Sequence, residues 1–179
     1  MLDRHSALAS VKPYASSSLT IAERPGFVLT QVAGLGPDFE SKLTAILGPL
    51  PASVNVSQAN GNHTIFRIGP SQFWIVGPET DATPSMLQGH CAVTPLSHAR
   101  VRIALSGASS RAVLAMLMPI DFHPQVFTPG AVALTGLHHT PVTVHCTGEH
   151  AFDIYVLRTF ARDVWDAITD AALGFADSR

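Results

Sequence analysis

Apolar and polar positions along this chain follow two periods, one of two residues and one near 3.6, and their order occurs twice. Residues 27–33, FVLTQVA, are apolar at alternate or adjacent positions, which predicts a strand. Gly34-Leu35-Gly36 breaks it, and Pro37 suits the first turn of a helix, where its missing N–H costs nothing. Phe39, Leu43 and Ile46/Leu47 then recur at helical spacing until Gly48-Pro49 ends the helix. Residues 63–68 and 73–76 predict two short strands around the tight turn Gly69-Pro70-Ser71-Gln72. Residues 77–97, rich in proline and polar types, read as a connecting loop with room for one helical turn.

The order then returns. RVRIAL at 100–105 alternates as a strand, and Ser106-Gly107 breaks it. Residues 109–117 predict a helix with Ala112, Val113, Met116 and Leu117 on its inner face, stopped by Pro119. Residues 131–137, 141–146 and 152–156 predict strands, the last two joined by Thr147-Gly148-Glu149-His150. A closing helix takes Thr159 as N-cap, carries Phe160, Val164, Trp165, Ile168 and Ala172 on its inner stripe, and ends at Gly174. VAG at 32–34 answers LSG at 105–107, and GPSQFWI at 69–75 answers GEHAFDI at 148–154. The expectation is an α+β fold of two similar halves, each of mostly antiparallel strands plus helices. The first 18 residues, mixed small and polar types, are expected to form an extended N-terminal arm that orders against a partner. Residues 19–179 then form a single α+β domain, with pseudo-repeat halves at about 19–80 and 98–176.

Composition changes this picture in one respect. Only 13% of the 179 residues are charged, against about 25% in an average soluble domain. Lysine occurs only at Lys12 and Lys42. A surface so poor in charge implies partner chains over part of it. The net charge of −2, with no run of cations, excludes a phosphate-binding stripe and hence nucleic acid. Apolar runs such as 112–118 fall far short of the roughly 18–20 residues that span a membrane, so no membrane partner is expected. The N-terminus lacks the apolar core of a secretory signal. Cys91 and Cys146 do not make a disulfide framework, which places the chain in a reducing cytoplasm.

Candidate chemistry concentrates in 121–150, which holds Asp121, His123, His138, His139, His145, Cys146 and His150. A zinc site needs three or four such ligands. Adjacent strand residues point to opposite faces, which separates His138 from His139 and His145 from Cys146. A cross-hairpin pair of His139 with His145 leaves two ligands and no third. Asp121 and His123 share a face of an extended segment, as an acid–base pair would, but nothing in the sequence points to a serine, cysteine or second carboxylate that converges on them. Asp121 reads instead as turn chemistry, its carboxylate bonding backbone N–H groups. Gly34-Leu35-Gly36-Pro37 lacks the third glycine of a dinucleotide fingerprint. Ser106-Gly107-Ala108-Ser109 reads as a strand-to-helix turn with capping serines. Trp74 and Trp165 fall at core-facing positions. No catalytic, cofactor-binding or metal residue is therefore assigned in this chain.

The run from Leu105 to Ala172 contains "LSG", "PIDFHP", "VFTPGAVALT", "HTPV" and "AFDIYVLRTFARDVWDAI", and "RIGPSQFWIVGP" lies upstream at 67–78. In combination these motifs resemble the gamma subunit of heterotetrameric sarcosine oxidase over roughly 27–175, more weakly before residue 60. The resemblance implies a fold similar to the folate-binding part of the glycine-cleavage aminomethyltransferase. It further implies alpha, beta and delta subunits as partners. FAD, FMN, NAD and tetrahydrofolate would be held in those partner subunits, with zinc in delta and no cofactor here. The complex would oxidatively demethylate sarcosine or another N-methyl amine. No residue matches the aminomethyltransferase's catalytic aspartate, so the resemblance implies assembly and no active-site residue. The rival expectation is a stand-alone folate-binding, aminomethyltransferase-like protein.

Overall fold

A computed structural model of the chain describes residues 5–34, 36–81 and 83–175. In chain order the strands and helices are β1 (Tyr14–Ala15), β2 (Thr20–Glu23), β3 (Phe27–Ala33), α1 (Phe39–Leu47), β4 (Val56–Asn60), β5 (His63–Gly69) and β6 (Gln72–Pro78). Then come α2 (Thr83–Met86), β7 (Ala92–Pro95), β8 (Arg100–Ser106), α3 (Ser110–Leu117), β9 (Val132–Leu137), β10 (Thr140–Gly148), β11 (Ala151–Leu157) and α4 (Ala161–Leu173). All strand pairs are antiparallel. The fold is α+β, as the alternating periods predict.

The chain divides into two compact units, 26–98 and 1–25 with 99–179. The first holds a five-stranded sheet ordered β4-β5-β6-β3-β7. Alternate residues of its strands, Val32, Ile65, Phe73 and Ile75, form a core with Phe39, Leu43 and Leu47 of α1. The second holds a six-stranded sheet ordered β1-β2-β8-β11-β10-β9. Ile103, Leu105, Val144, Phe152, Ile154 and Val156 pack there with Val113, Leu114, Trp165 and Ile168 of α3 and α4.

The boundaries differ from the expected halves because β2 pairs with β8, Ile21 opposite Leu105 and Glu23 opposite Ile103. The start of the first expected half thus belongs to the second sheet. The N-terminal segment is likewise fastened to its own chain. Leu8 is 2% exposed within the core that holds Leu19 and Ile21. Ser18 donates its hydroxyl to Phe175 O at 3.2 Å, and Arg158 bonds His5 O. Residues 1–4 of the expected arm lie outside the described residues.

Two helices present different faces from those expected. In α3 the buried residues are Ser110, Arg111, Val113, Leu114 and Leu117, while Met116 is 63% exposed. The sequence stripe was set by hydrophobicity alone and missed that Arg111 turns inward. The closing helix begins at Ala161, after a 3₁₀ turn over Arg158–Phe160 that takes up Thr159 and leaves Phe160 41% exposed. Strands β1, β2, β4 and β7 were not anticipated. They are short or polar edge segments whose pairing, not their own periodicity, makes them strands.

Candidate functional site

The histidine-rich stretch is dispersed. Asp121 Oδ1 accepts the His123 N–H at 2.7 Å, and His123 Nδ1 accepts the Gln125 N–H at 3.3 Å. Both side chains lie on an exposed turn after α3, the turn chemistry expected of Asp121. His138 and His139 are the two-residue turn of the β9–β10 hairpin, with Leu137 opposite Thr140. They are exposed, and His138 adopts φ 49°. The strand-alternation argument therefore fails for this pair, because neither residue is on a strand. His150 sits half-exposed in the next turn, 3.9 Å from Glu149 Oε1. Among the described residues no group of three or more His, Cys, Asp and Glu side chains is placed to hold a metal ion.

His145 and Cys146 do point to opposite faces of β10. Cys146 faces the core, where its thiol donates to Gly148 O at 3.2 Å and burial pushes its pKa up. His145 lies opposite Asp153 on the other face. It is 7% exposed, and burial lowers its pKa to about 4 even though the Asp153 carboxylate opposes the shift. Asp153 is held by Arg102, Nη2 to Oδ2 at 2.6 Å, and the guanidinium lies 5.9 Å from the Tyr155 ring centre. Arg102 Nε is buried without a hydrogen-bond partner. Thr143 and Tyr155 are buried beside them in register, and burial raises the Tyr155 pKa. Sequence reasoning missed Arg102, Asp153 and Tyr155. The available signal was a lone acid inside the apolar strand AFDIYVL. Chemically the group is an ion pair beside a neutral imidazole. The Asp153 carboxylate is buried, so removing Arg102 would leave it without its partner and is costly.

Arg111 was also missed. Its Nε donates to Glu149 O at 2.8 Å and Nη1 to Phe122 O at 2.6 Å and Phe127 O at 3.1 Å. The guanidinium lies 5.1 Å from the centre of the Phe152 ring. It thus ties the 121–127 segment to the β10–β11 turn. The serines before α3 do not cap it with their side chains. Ser110 Oγ donates to His150 O at 3.1 Å, and the Ser109 N–H donates to Ser18 O at 3.1 Å. Gly107, at φ 130°, allows this approach, since a Cβ there would lie 2.3 Å from Ser18 O.

The 26–98 unit holds a smaller cluster. His63 Nε2 is 2.8 Å from Asp81 Oδ1 and 3.0 Å from Thr83 Oγ1, and the Thr83 N–H donates to Asp81 at 2.9 Å. Burial opposes the Asp81 charge, but the Thr83 and His63 bonds outweigh it and hold its pKa low. This is a loop clamp that starts α2. His63 uses one nitrogen for both partners, whereas a base relay needs both. The same unit has an open groove of about 770 Å³, whose lining includes the polar side chains of Asp38, Lys42, Ser71, Gln72 and His90 and the thiol of Cys91.

The architecture defines a class: an α+β chain with the fold found in aminomethyltransferases. A solved glycine cleavage system aminomethyltransferase T from Bartonella henselae superposes with a TM-score of 0.66 at 16% identity, over 86% of this chain and 46% of that one. A chain of heterotetrameric sarcosine oxidase from Corynebacterium sp. U-96, solved with pyrrole 2-carboxylate, superposes with a TM-score of 0.89 at 24% identity, over 98% of both chains. The family model for the sarcosine oxidase gamma subunit matches residues 84–174, about half of the sequence. This chain belongs to the sarcosine oxidase gamma subunit family. No curated protein sequence matches it.

Proposed function

We propose that this chain is a non-catalytic subunit of a heterotetrameric, flavin-dependent oxidase acting on sarcosine or a similar N-methyl amine. In that complex sarcosine is demethylated to glycine, oxygen is reduced to hydrogen peroxide, and the methyl carbon leaves as formaldehyde or methylene-tetrahydrofolate. FAD, FMN, NAD and tetrahydrofolate belong to the alpha and beta partners in this reading, delta binds zinc, and the complex is cytoplasmic. Among the described residues no helix is long and apolar enough to cross a membrane.

The family match over 84–174 carries the proposal. The use of the polar groups supports it. Arg102, Asp153 and Arg111 spend their bonds within the chain, and Asp121 caps a turn. Capture of the chain from its native cell tests it. The expected result is co-purification of larger subunits carrying flavin absorbance; recovery of the chain alone, in a cell that makes the oxidase, overturns it.

The likeness to aminomethyltransferase T favours a second reading, a free-standing folate-binding protein. Such an enzyme needs an acid inside its pocket. The acid of the groove in the 26–98 unit is Asp38, exposed at the start of α1. Calorimetric titration of the isolated chain with tetrahydrofolate separates the readings: the subunit reading expects no heat of binding.

A further inference from the structure

Strand β9 ends the six-stranded sheet, and its pattern of backbone bonds leaves its outer edge open. Cys146 N–H donates to Ala131 O at 2.9 Å, which sets the phase of the β9–β10 ladder. In an antiparallel pair, opposed residues alternate between bonded and non-bonded. Leu137, Thr135 and Ala133 therefore bond across to Thr140, Val142 and Val144, while Leu134 and Gly136 turn their N–H and C=O groups outward. Pro141 fits this phase. It lies opposite Gly136 in a non-bonded pair, where its missing N–H costs β9 nothing. Both ends of the edge are tied, since His138 N–H donates to Leu117 O and Ala131 N–H to Thr128 O. The open portion is its middle, where Leu134 is 51% exposed.

Exposed edges are normally blunted by charge, proline or brevity. The other sheet ends follow that rule: β1 is two residues long, β7 stops at Pro95, and β4 is the polar run VSQAN. β9 is VALTGL, and residues 122–148 contain no Asp, Glu, Lys or Arg at all. Outward N–H and C=O groups at strand spacing recognise another extended backbone and little else.

We infer that the Leu134–Gly136 edge of β9 pairs with an extended strand of another subunit, which continues the sheet and packs an apolar side chain on Leu134. The inference rests on the subunit reading above and names the surface through which assembly is made. A second copy of this chain is the competing occupant. It would close the edge without any partner, and the surface would then serve self-association.

Residue-resolved hydrogen exchange on the isolated chain and on the assembled complex tests the inference. In the isolated chain the amides of Ala133, Thr135 and Leu137 are slow and those of Leu134 and Gly136 fast. In the complex the latter two slow by at least about tenfold, the effect of one added backbone bond. Leu134→Pro removes one outward N–H and leaves the β10 ladder intact, so it weakens assembly by about tenfold. Leu134→Lys keeps the N–H, adds the missing edge charge, and also weakens assembly, which covers the case in which the proline variant fails to fold. Fast Leu134 and Gly136 amides in the complex overturn the pairing while leaving the subunit reading in place. So does wild-type assembly by Leu134→Lys. A free-chain dimer abolished by Leu134→Lys, with the complex unaffected, assigns the edge to a second copy. Failure of the chain to join any larger subunit sinks both readings.

Discussion

The β5–β6 hairpin and the β10–β11 hairpin are the same device filled in two ways. Phe66 lies opposite Trp74 in one, and His145 lies opposite Asp153 in the other, each pair 79 residues from its counterpart. Leu29 opposes Val76 where Arg102 opposes Tyr155. At the Phe66–Trp74 pair the polar group is the indole, whose Nε1 donates to Gln31 Oε1 at 3.0 Å. The second hairpin carries an ion pair and a neutral imidazole. The two turns show a second contrast. Each repeat phenylalanine has an arginine near its ring, Arg67 at 5.2 Å from Phe73 and Arg111 at 5.1 Å from Phe152. Each arginine also bonds the second carbonyl of the repeat turn, Pro70 O or Glu149 O. Arg67 comes from a strand and is neutralised by Glu40, the second residue of α1. Arg111 is itself the second residue of α3. One framework thus holds its turn from either side, so backbone geometry persists where side-chain chemistry has diverged.

The largest effect is expected from removing the deeper arginine. Arg111→Ala leaves the carbonyls of Phe122, Phe127 and Glu149 without their donor and should cost about 4 kcal/mol. Chemical denaturation of the isolated chain checks it, and a loss under about 1 kcal/mol would show that water replaces the guanidinium freely.

The His145–Asp153 pair should make stability depend on pH, whereas the matching Phe66–Trp74 pair carries no titrating group. His145 is held neutral with a pKa of about 4, below its value near 6.5 in an unfolded chain. Between these values the unfolded state binds more protons, so the stabilisation is complete above about 6.5 and is lost as pH falls towards 4. The window is worth about 3 kcal/mol. Asp153 and Arg102 are the charged groups acting on this imidazole. His145→Phe, the residue type at the matching position 66, should flatten the slope in unfolding measured from pH 7 to 4.5.

Gly107→Ala should cost about 2 kcal/mol, because the substituted residue must hold φ 130° and its Cβ would strike the Ser18 backbone. The matching Gly34→Ala would put its Cβ 2.2–2.7 Å from the buried Phe39 ring, so it should disturb α1 packing and leave the N-terminal segment fastened. Protease nicking within residues 5–18 should accelerate for Gly107→Ala alone; equal acceleration in both variants would break the contrast. The smallest effect is expected at Arg67→Ala, about 1 kcal/mol, since Glu40 is partly exposed and water can serve the freed carbonyls. A double-mutant cycle with Glu40→Gln measures the pair term.

How much of this was legible differs from residue to residue. Alternation marked β3, β5, β6, β8, β10 and β11, because each has a face that must leave water. Spacing placed Leu43 in α1 and Trp165 and Ile168 in α4 for the same reason. The motifs of 105–172 carried the family. Asp121's turn bond was legible because Asx chemistry is local. What pairing decides was not legible. β2 lies in the second sheet only because its backbone finds β8, and β4 and β7 are strands only by pairing with β5 and β3. Arg111 is buried because three carbonyls from two segments, 121–127 and the β10–β11 turn, converge on it. His145 and Asp153 are eight positions apart in the chain and meet only across a ladder. The sequence determined the fold class, the repeat, the core stripes and the family, since those follow from which residues avoid water and in what order. Tertiary structure alone decided the use of the charged residues and the open edge of β9. Desolvation cost and backbone pairing depend on neighbours that periodicity does not name.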